Sequence, residues 1–120
     1  MTVRRVLLHN HSTWSDGQMS LDTVARLGEY LGASAVVMSE HDYEFTSLKW
    51  DDYTSACRQA STRKCAVVPG IEYSSSNDDI HIVTVGTPYF HGARRNLVDT
   101  ITAVRAEGGA AILAHPSRRN

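Results

Sequence analysis

Short apolar runs and amphipathic stretches take turns along this chain, and that alternation predicts strands separated by helices. Residues 3–8, 35–38, 66–68, 80–85 and 110–113 are apolar runs of strand length, and runs of that kind form strands buried on both faces of a sheet. Leu21, Val24, Ala25, Leu27 and Leu31 recur at helical spacing between Ser20, a good N-cap, and Gly32, which ends the helix. Tyr53, Ala56, Cys57 and Ala60 mark a second helix that Asp51 or Asp52 can cap. Leu97, Val98, Ile101 and Val104 mark a third, from about Asn96 to Glu107, broken by Gly108 and Gly109. Turn residues at Asn77-Asp78-Asp79 and Gly86-Thr87-Pro88 bracket the fourth strand. The expectation is one α/β domain over residues 1–120, with a parallel sheet covered by helices and either open or closed into a barrel.

In such folds reactive groups collect at the carboxyl ends of the strands. Here those ends are polar. His9, His11 and Asp16 follow the first strand, Ser39-Glu40-His41-Asp42 the second, Pro69-Gly70-Ile71-Glu72 the third and Ala114-His115-Pro116 the fifth, while His81 opens the fourth. In extended chain, residues two apart point the same way, so His9 and His11 can converge on one cation. Gly17 permits a turn that returns Asp16 toward them. Neutral imidazole and carboxylate oxygen are the ligand types of divalent metals. Plainer roles compete: an Asx turn for Asp16, a cap for Glu72, a satisfied strand histidine for His81. His91 reads as a solvated loop residue, Arg118 as a contact for a substrate phosphate, and Trp14 as either a packing or a stacking group.

Charge narrows the partners. Twelve Lys and Arg against thirteen Asp and Glu give a net charge of -1, which argues against nucleic acid and against a polybasic membrane anchor. The N-terminal apolar run is too short for a signal peptide or a membrane span, so a cytoplasmic protein is expected. Cys57 and Cys65 fit no zinc-knuckle or redox spacing and read as reduced structural thiols.

The ordered segments HNHSTWSDG (9–17), SEHD (39–42), PGIEYS (69–74), HIVTVG (81–86) and AHP (114–116) resemble the polymerase and histidinol phosphatase (PHP) family of metal-dependent phosphoesterases along essentially the whole chain. The resemblance implies a distorted TIM-like (β/α)7 barrel with two or three divalent ions, zinc, manganese or iron, at its carboxyl-terminal face. It makes His9 and His11 ligands of one metal, with Glu72 bridging to a second held by His81 and His115, and Asp16 and His41 serving a third. A metal-activated hydroxide would hydrolyse a small phosphate monoester with no protein nucleophile. Two departures stand out: Glu40 occupies a position where the family usually has Asp, and the family's last motif, Asp-x-His, has no counterpart before Asn120. The barrel is therefore expected to stop after about five strands, with an open edge and apolar face for a second copy or a partner chain to cover. The alternatives are a non-catalytic metal-binding or interaction module, an inactive fragment, or an amidohydrolase-type metal hydrolase.

Overall fold

Each α-helix among the described residues starts where a polar side chain closes its first turn. In the computed structural model, which describes residues 4–116, α1 (Leu21–Tyr30) begins after Ser20, whose hydroxyl accepts from the Thr23 amide, and gives way to Gly32 at φ 75°. Helix α2 (Ser47–Ala60) begins earlier than expected. Thr46, not Asp51 or Asp52, is its cap and accepts from the Lys49 amide, which brings Trp50 into register with Tyr53, Cys57 and Ala60 on one buried face and leaves Asp51 and Asp52 exposed. Helix α3 (Leu97–Ala106) is capped by Asn96, which accepts from the Val98 and Asp99 amides. Its inward face is Leu97, Thr100, Ile101 and Val104; Val98, expected inside, lies largely in solvent one position off that stripe.

Among the described residues, seven strands follow from the apolar runs and from two extensions that their sequence disguised. Parallel β1 (Arg5–Asn10), β2 (Ala33–Met38) and β4 (Ala66–Val68) make one sheet in the order β1-β2-β4; β3 (Glu40–His41), β5 (Gly70–Ser74), β6 (His81–Val85) and β7 (Ala110–Leu113) make a second in the order β3-β5-β6-β7. The two sheets continue one another. Val37 pairs with Val68 and Glu40 with Ile71, the same offset on either side of Ser39 and Pro69, so one parallel pair is interrupted where Pro69 has no N–H to donate. Gly70 permits the crowding at that break, since a Cβ there would lie 2.3 Å from the Met38 carbonyl oxygen.

The all-parallel expectation is corrected at the second sheet, where β5 and β6, and β6 and β7, run antiparallel. Residues 75–80 are too few for a parallel crossover, which takes a dozen or more. The longer connection through α3 leaves β6 at Val85 and re-enters at Ala110, its direct partner, at the same end of the sheet.

Trp50, Tyr53, Phe45, Met38, Val36, Ile71 and Tyr73 form the core between the strands and the helices. The other face of the strands is less covered. Val6, Leu8, Ile112 and Leu113 are about half exposed, which corrects the expectation that the first and fifth strands are buried on both sides. Leu8, Val37, Val83, Val85, Ile112 and Leu113 line a cavity of about 140 Å³ on this side. Among the described residues β1 pairs only with β2, and β7 only with β6. No helix among them is long and apolar enough to cross a membrane.

Candidate metal centre

The site is assembled by departures from regular strand geometry. The β1–β2 register shifts between Leu7 and Asn10, and within that irregularity His9 takes φ 63°. A left-handed residue in a bulge re-aims its side chain, so His9 and His11 converge through a bend and not through the plain alternation of an extended segment. His115, just past β7, also has positive φ, at 31°. Such conformations cost a non-glycine residue about 1–3 kcal/mol and persist where surrounding contacts over-determine them.

Those contacts meet on Glu72. Its place past the third apolar run, after Pro-Gly, suggested a residue beyond the strand; it lies in the middle of β5, buried, opposite His41 on β3. His9 Nε2 is 2.8 Å and His11 Nε2 3.2 Å from Glu72 Oε1, while His81 Nδ1 and His115 Nε2 lie 2.9 and 3.1 Å from Oε2. Burial alone would raise the pKa of this carboxyl, but the bonds from His11, His9 and His115 and the nearby charge of His9 hold it well below the ordinary carboxylate range. His11 is raised in turn, chiefly by its bond to Glu72, against the opposing effect of burial.

A second cluster sits on the loop after β1. Asp16 Oδ2 is 3.2 Å from His41 Nε2, and Asp16 Oδ1 is 3.6 Å from His11 Nδ1. The His11 and His41 rings stack with centroids 4.4 Å apart. Gly17 folds the loop tightly: a Cβ there would fall 2.2 Å from the His11 carbonyl oxygen, and its amide donates to Ser12 O at 2.8 Å.

Two groups can each close around one cation, His9 with Glu72 and His115, and His11 with Asp16 and His41; the ligand atoms of each lie within 4.8 Å of one another. The buried Nδ1 atoms of His11 and His41 have no hydrogen-bond partner, an uncommon state for buried polar atoms and one that a bound cation would relieve at His11. Imidazole with carboxylate suits zinc, manganese or iron. The grouping differs from that implied by the resemblance, which paired His9 with His11. His81 stands beside the first group, with Nδ1 on Glu72 and its ring edge-on to His115, while its other nitrogen, Nε2, lies 2.9 Å from Asp78 Oδ1.

All seven residues singled out from the sequence as ligands come together here; Arg118 lies outside the described residues. His91 is not a solvated loop residue: it is half-buried, with Nε2 2.9 Å from Glu107 Oε1 and its amide donating to the Tyr73 hydroxyl. Trp14 packs edge-on against Tyr53, centroids 5.4 Å apart. Sequence reasoning missed two carboxylates that stand behind the candidate ligands. Asp78, which seats His81, was hidden in a turn signal. Asp42, fully buried, accepts the Ser74 and Arg94 amides and so ties the turn after His41 to β5 and to the loop before α3; its place directly after the histidine of SEHD was the available hint.

No family model and no curated protein matches the chain. Solved structures do. A candidate metal-dependent phosphoesterase from Bifidobacterium adolescentis superposes with a TM-score of 0.52 at 23% identity, over 72% of this chain and 29% of that one. A two-domain protein from Bacteroides vulgatus containing a predicted PHP-like metal-dependent phosphoesterase gives 0.59 at 15% identity, over 88% of this chain and 33% of that one. An amidohydrolase from Chromobacterium violaceum, with bound sulfate and no metal, gives 0.66 at 15% identity, over 94% of this chain and 67% of that one. The chain thus has a fold shared by PHP-like phosphoesterases and an amidohydrolase, and spans about a third or less of the two phosphoesterase chains.

Proposed function

We propose that this chain carries the metal-binding face of a PHP-type phosphoesterase that hydrolyses small phosphate monoesters. The observation that carries this reading is the buried Glu72 carboxylate shared by four histidines, with a second carboxylate-histidine group adjoining it through His11. His9, Glu72 and His115 would hold one divalent ion and His11, Asp16 and His41 another, with His81 orienting Glu72 and available to a further ion. Zinc, manganese or iron bound there would acidify water and neutralise the oxygens of a phosphoryl group. Glu72 spans the two groups, touching ligands of both, and so can offset the repulsion between neighbouring cations. In this reading the chain forms five strand units of a larger distorted barrel, works in the cytoplasm with Cys57 and Cys65 reduced, and uses Arg118 to contact the phosphate.

An amide-hydrolysing reading is kept because the Chromobacterium violaceum amidohydrolase superposes over the largest share of this chain among the three. Metal analysis of untagged protein, followed by parallel panels of phosphate monoesters and acyl amides, separates the two. Phosphate release that needs two or more bound ions and disappears in His9→Ala supports the proposal. Amide cleavage without phosphate release replaces it with the second reading, and bound metal with no turnover on either panel makes the chain a binding module.

A further inference from the structure

We propose that Glu40 is a positioning residue for the His11–Asp16–His41 cation site and not a ligand of any ion. This inference rests on the reading that the two histidine-carboxylate groups bind cations. Glu40 precedes His41 on β3 and is completely buried. A carboxylate in that position has to find donors or ligands, and it finds four donors. Oε1 accepts from the Ser12 amide at 2.9 Å and from the Ser15 hydroxyl at 2.6 Å; Oε2 accepts from the Ser12 hydroxyl at 2.5 Å and the Tyr53 hydroxyl at 3.0 Å. Two bonds on each oxygen fill the lone-pair directions that a cation would need.

The identity of the donors decides the role. Ser12 follows His11 and Ser15 precedes Asp16, so one carboxylate holds both ends of the short segment that joins two of the site's three side chains. The third, His41, is the next residue along β3. Tyr53 ties the same carboxylate to α2, where its ring packs against Phe45 and Trp50 in the core. The loop is thereby referenced to the hydrophobic core through a single side chain, with Lys49 adding one bond from its ammonium to the Trp14 carbonyl. None of these bonds reaches His9, His115 or Glu72, which are set by β1, β5 and the chain after β7. Glu40 therefore acts directly on one cation site and reaches the other only through the His11–Glu72 contact.

Cobalt(II) titration of metal-free protein, followed by calorimetry and by the visible spectrum of the bound ion, tests this. The wild-type chain is expected to take up two ions at separable affinities. In Glu40→Gln an amide nitrogen faces donors it cannot accept from, and one site is expected to weaken by about 10–100-fold, the usual range for partners behind a ligand, while the other keeps its affinity and spectrum. Ser15→Ala removes one donor with little threat to folding and is expected to weaken the same site several-fold, with Ser15→Thr restoring it. Unchanged affinity at both sites, or equal weakening at both, overturns the proposal; if Glu40→Gln does not fold, the two Ser15 variants decide by the same criterion. Failure of the wild-type chain to bind cobalt overturns the metal reading itself, and is recognised before any variant is made.

Discussion

The two histidine-carboxylate groups use the same side-chain types and are positioned by different physics. Around Glu72 the backbone does the positioning: the carboxylate is buried in mid-strand, and His9 and His115 reach it from left-handed conformations at the ends of β1 and β7. Around Asp16 the carboxylate is half-exposed on a loop, and hydrogen bonds from neighbouring Ser12 and Ser15 to a buried carboxylate on β3, Glu40, fix its place. A site set by strand register forms with the fold and fails with it. One set by a hydrogen-bonded loop can be lost while the fold survives.

The largest effect is expected from Glu72→Gln, which keeps the shape of the side chain and removes the charge on which four histidines converge. Breaking a buried ionic cluster by neutralising one member costs on the order of 3 kcal/mol, and cation affinity at that group should fall by more than about 100-fold, beyond the range seen for outer partners. Denaturant titration with and without metal reads both; retained stability and affinity would show that the histidines, not Glu72, organise the centre. Next in size is Gly17→Ala. Its Cβ would lie 2.2 Å from the His11 carbonyl oxygen and 2.7 Å from the Ser12 amide nitrogen, and backbone on that side cannot swing aside as a long side chain can. The expected outcome is loss of about 10–100-fold in affinity at the Asp16 site alone, with the helical circular dichroism unchanged; equal loss at both sites would erase the distinction between them.

Acidity offers a smaller test on chelator-treated protein. Glu72 is held below its ordinary value of 4.5, so its contribution is present above that pH and is lost as acid is added. His11 is held above its ordinary 6.5, chiefly by Glu72, so its contribution is complete below 6.5 and is lost as pH rises through the higher folded value. Thermal stability should therefore be greatest between about pH 4.5 and 6.5 and decline on the alkaline side. Added zinc should flatten that alkaline decline, because it takes over the histidines in their neutral form. A flat profile without metal would mean that the His11–Glu72 contact contributes nothing to folding.

How far this was legible varied with how local the determinants are. Ser20 announced its helix because capping is settled within four residues, and the apolar spacing placed the start of the third helix at about Asn96, which is its cap. Thr46 was overlooked since the apolar spacing, read from Tyr53, omitted Trp50, and a cap can be placed only once the first turn is known. The seven candidate ligands were visible as an ordered series of motifs, but not the means of their convergence. Bulges, positive φ at His9 and His115, and the strand on which Glu72 rides depend on pairing with distant chain, and Pro69-Gly70 imitates a turn while interrupting a ladder. Antiparallel β6 was hidden for the same reason: strand direction is set by a partner, not by composition. Glu40 stood out only as a departure from the Asp usual at its position, an outer partner or a base, because its saturation by Ser12, Ser15 and Tyr53 is a property of three separate segments.

Tyr53→Phe should give the smallest effect and draws the contrast most finely. The phenol is held protonated by burial and by the nearby Cys57 and Glu40, and it supplies one of the four donors to Glu40. Phenylalanine keeps the ring in contact with Phe45, Trp50 and Trp14, so packing is preserved while the hydroxyl's bonds to Glu40 and to the Cys57 thiol are removed. A hydrogen bond to a charged acceptor is worth about 1.5–3 kcal/mol, and the three remaining donors hold the loss toward the lower end. Cobalt affinity should fall a few-fold at the Asp16 site and stay constant at the Glu72 site. Cys57, whose thiol burial pushes up to about 12, reports whether the core has opened, because a thiol so placed resists alkylation near pH 8. Weakened binding with Cys57 still protected assigns the loss to the bond; weakened binding with Cys57 exposed assigns it to the core, and the hydrogen-bonded loop would then be no more separable from the fold than the strand-borne carboxylate.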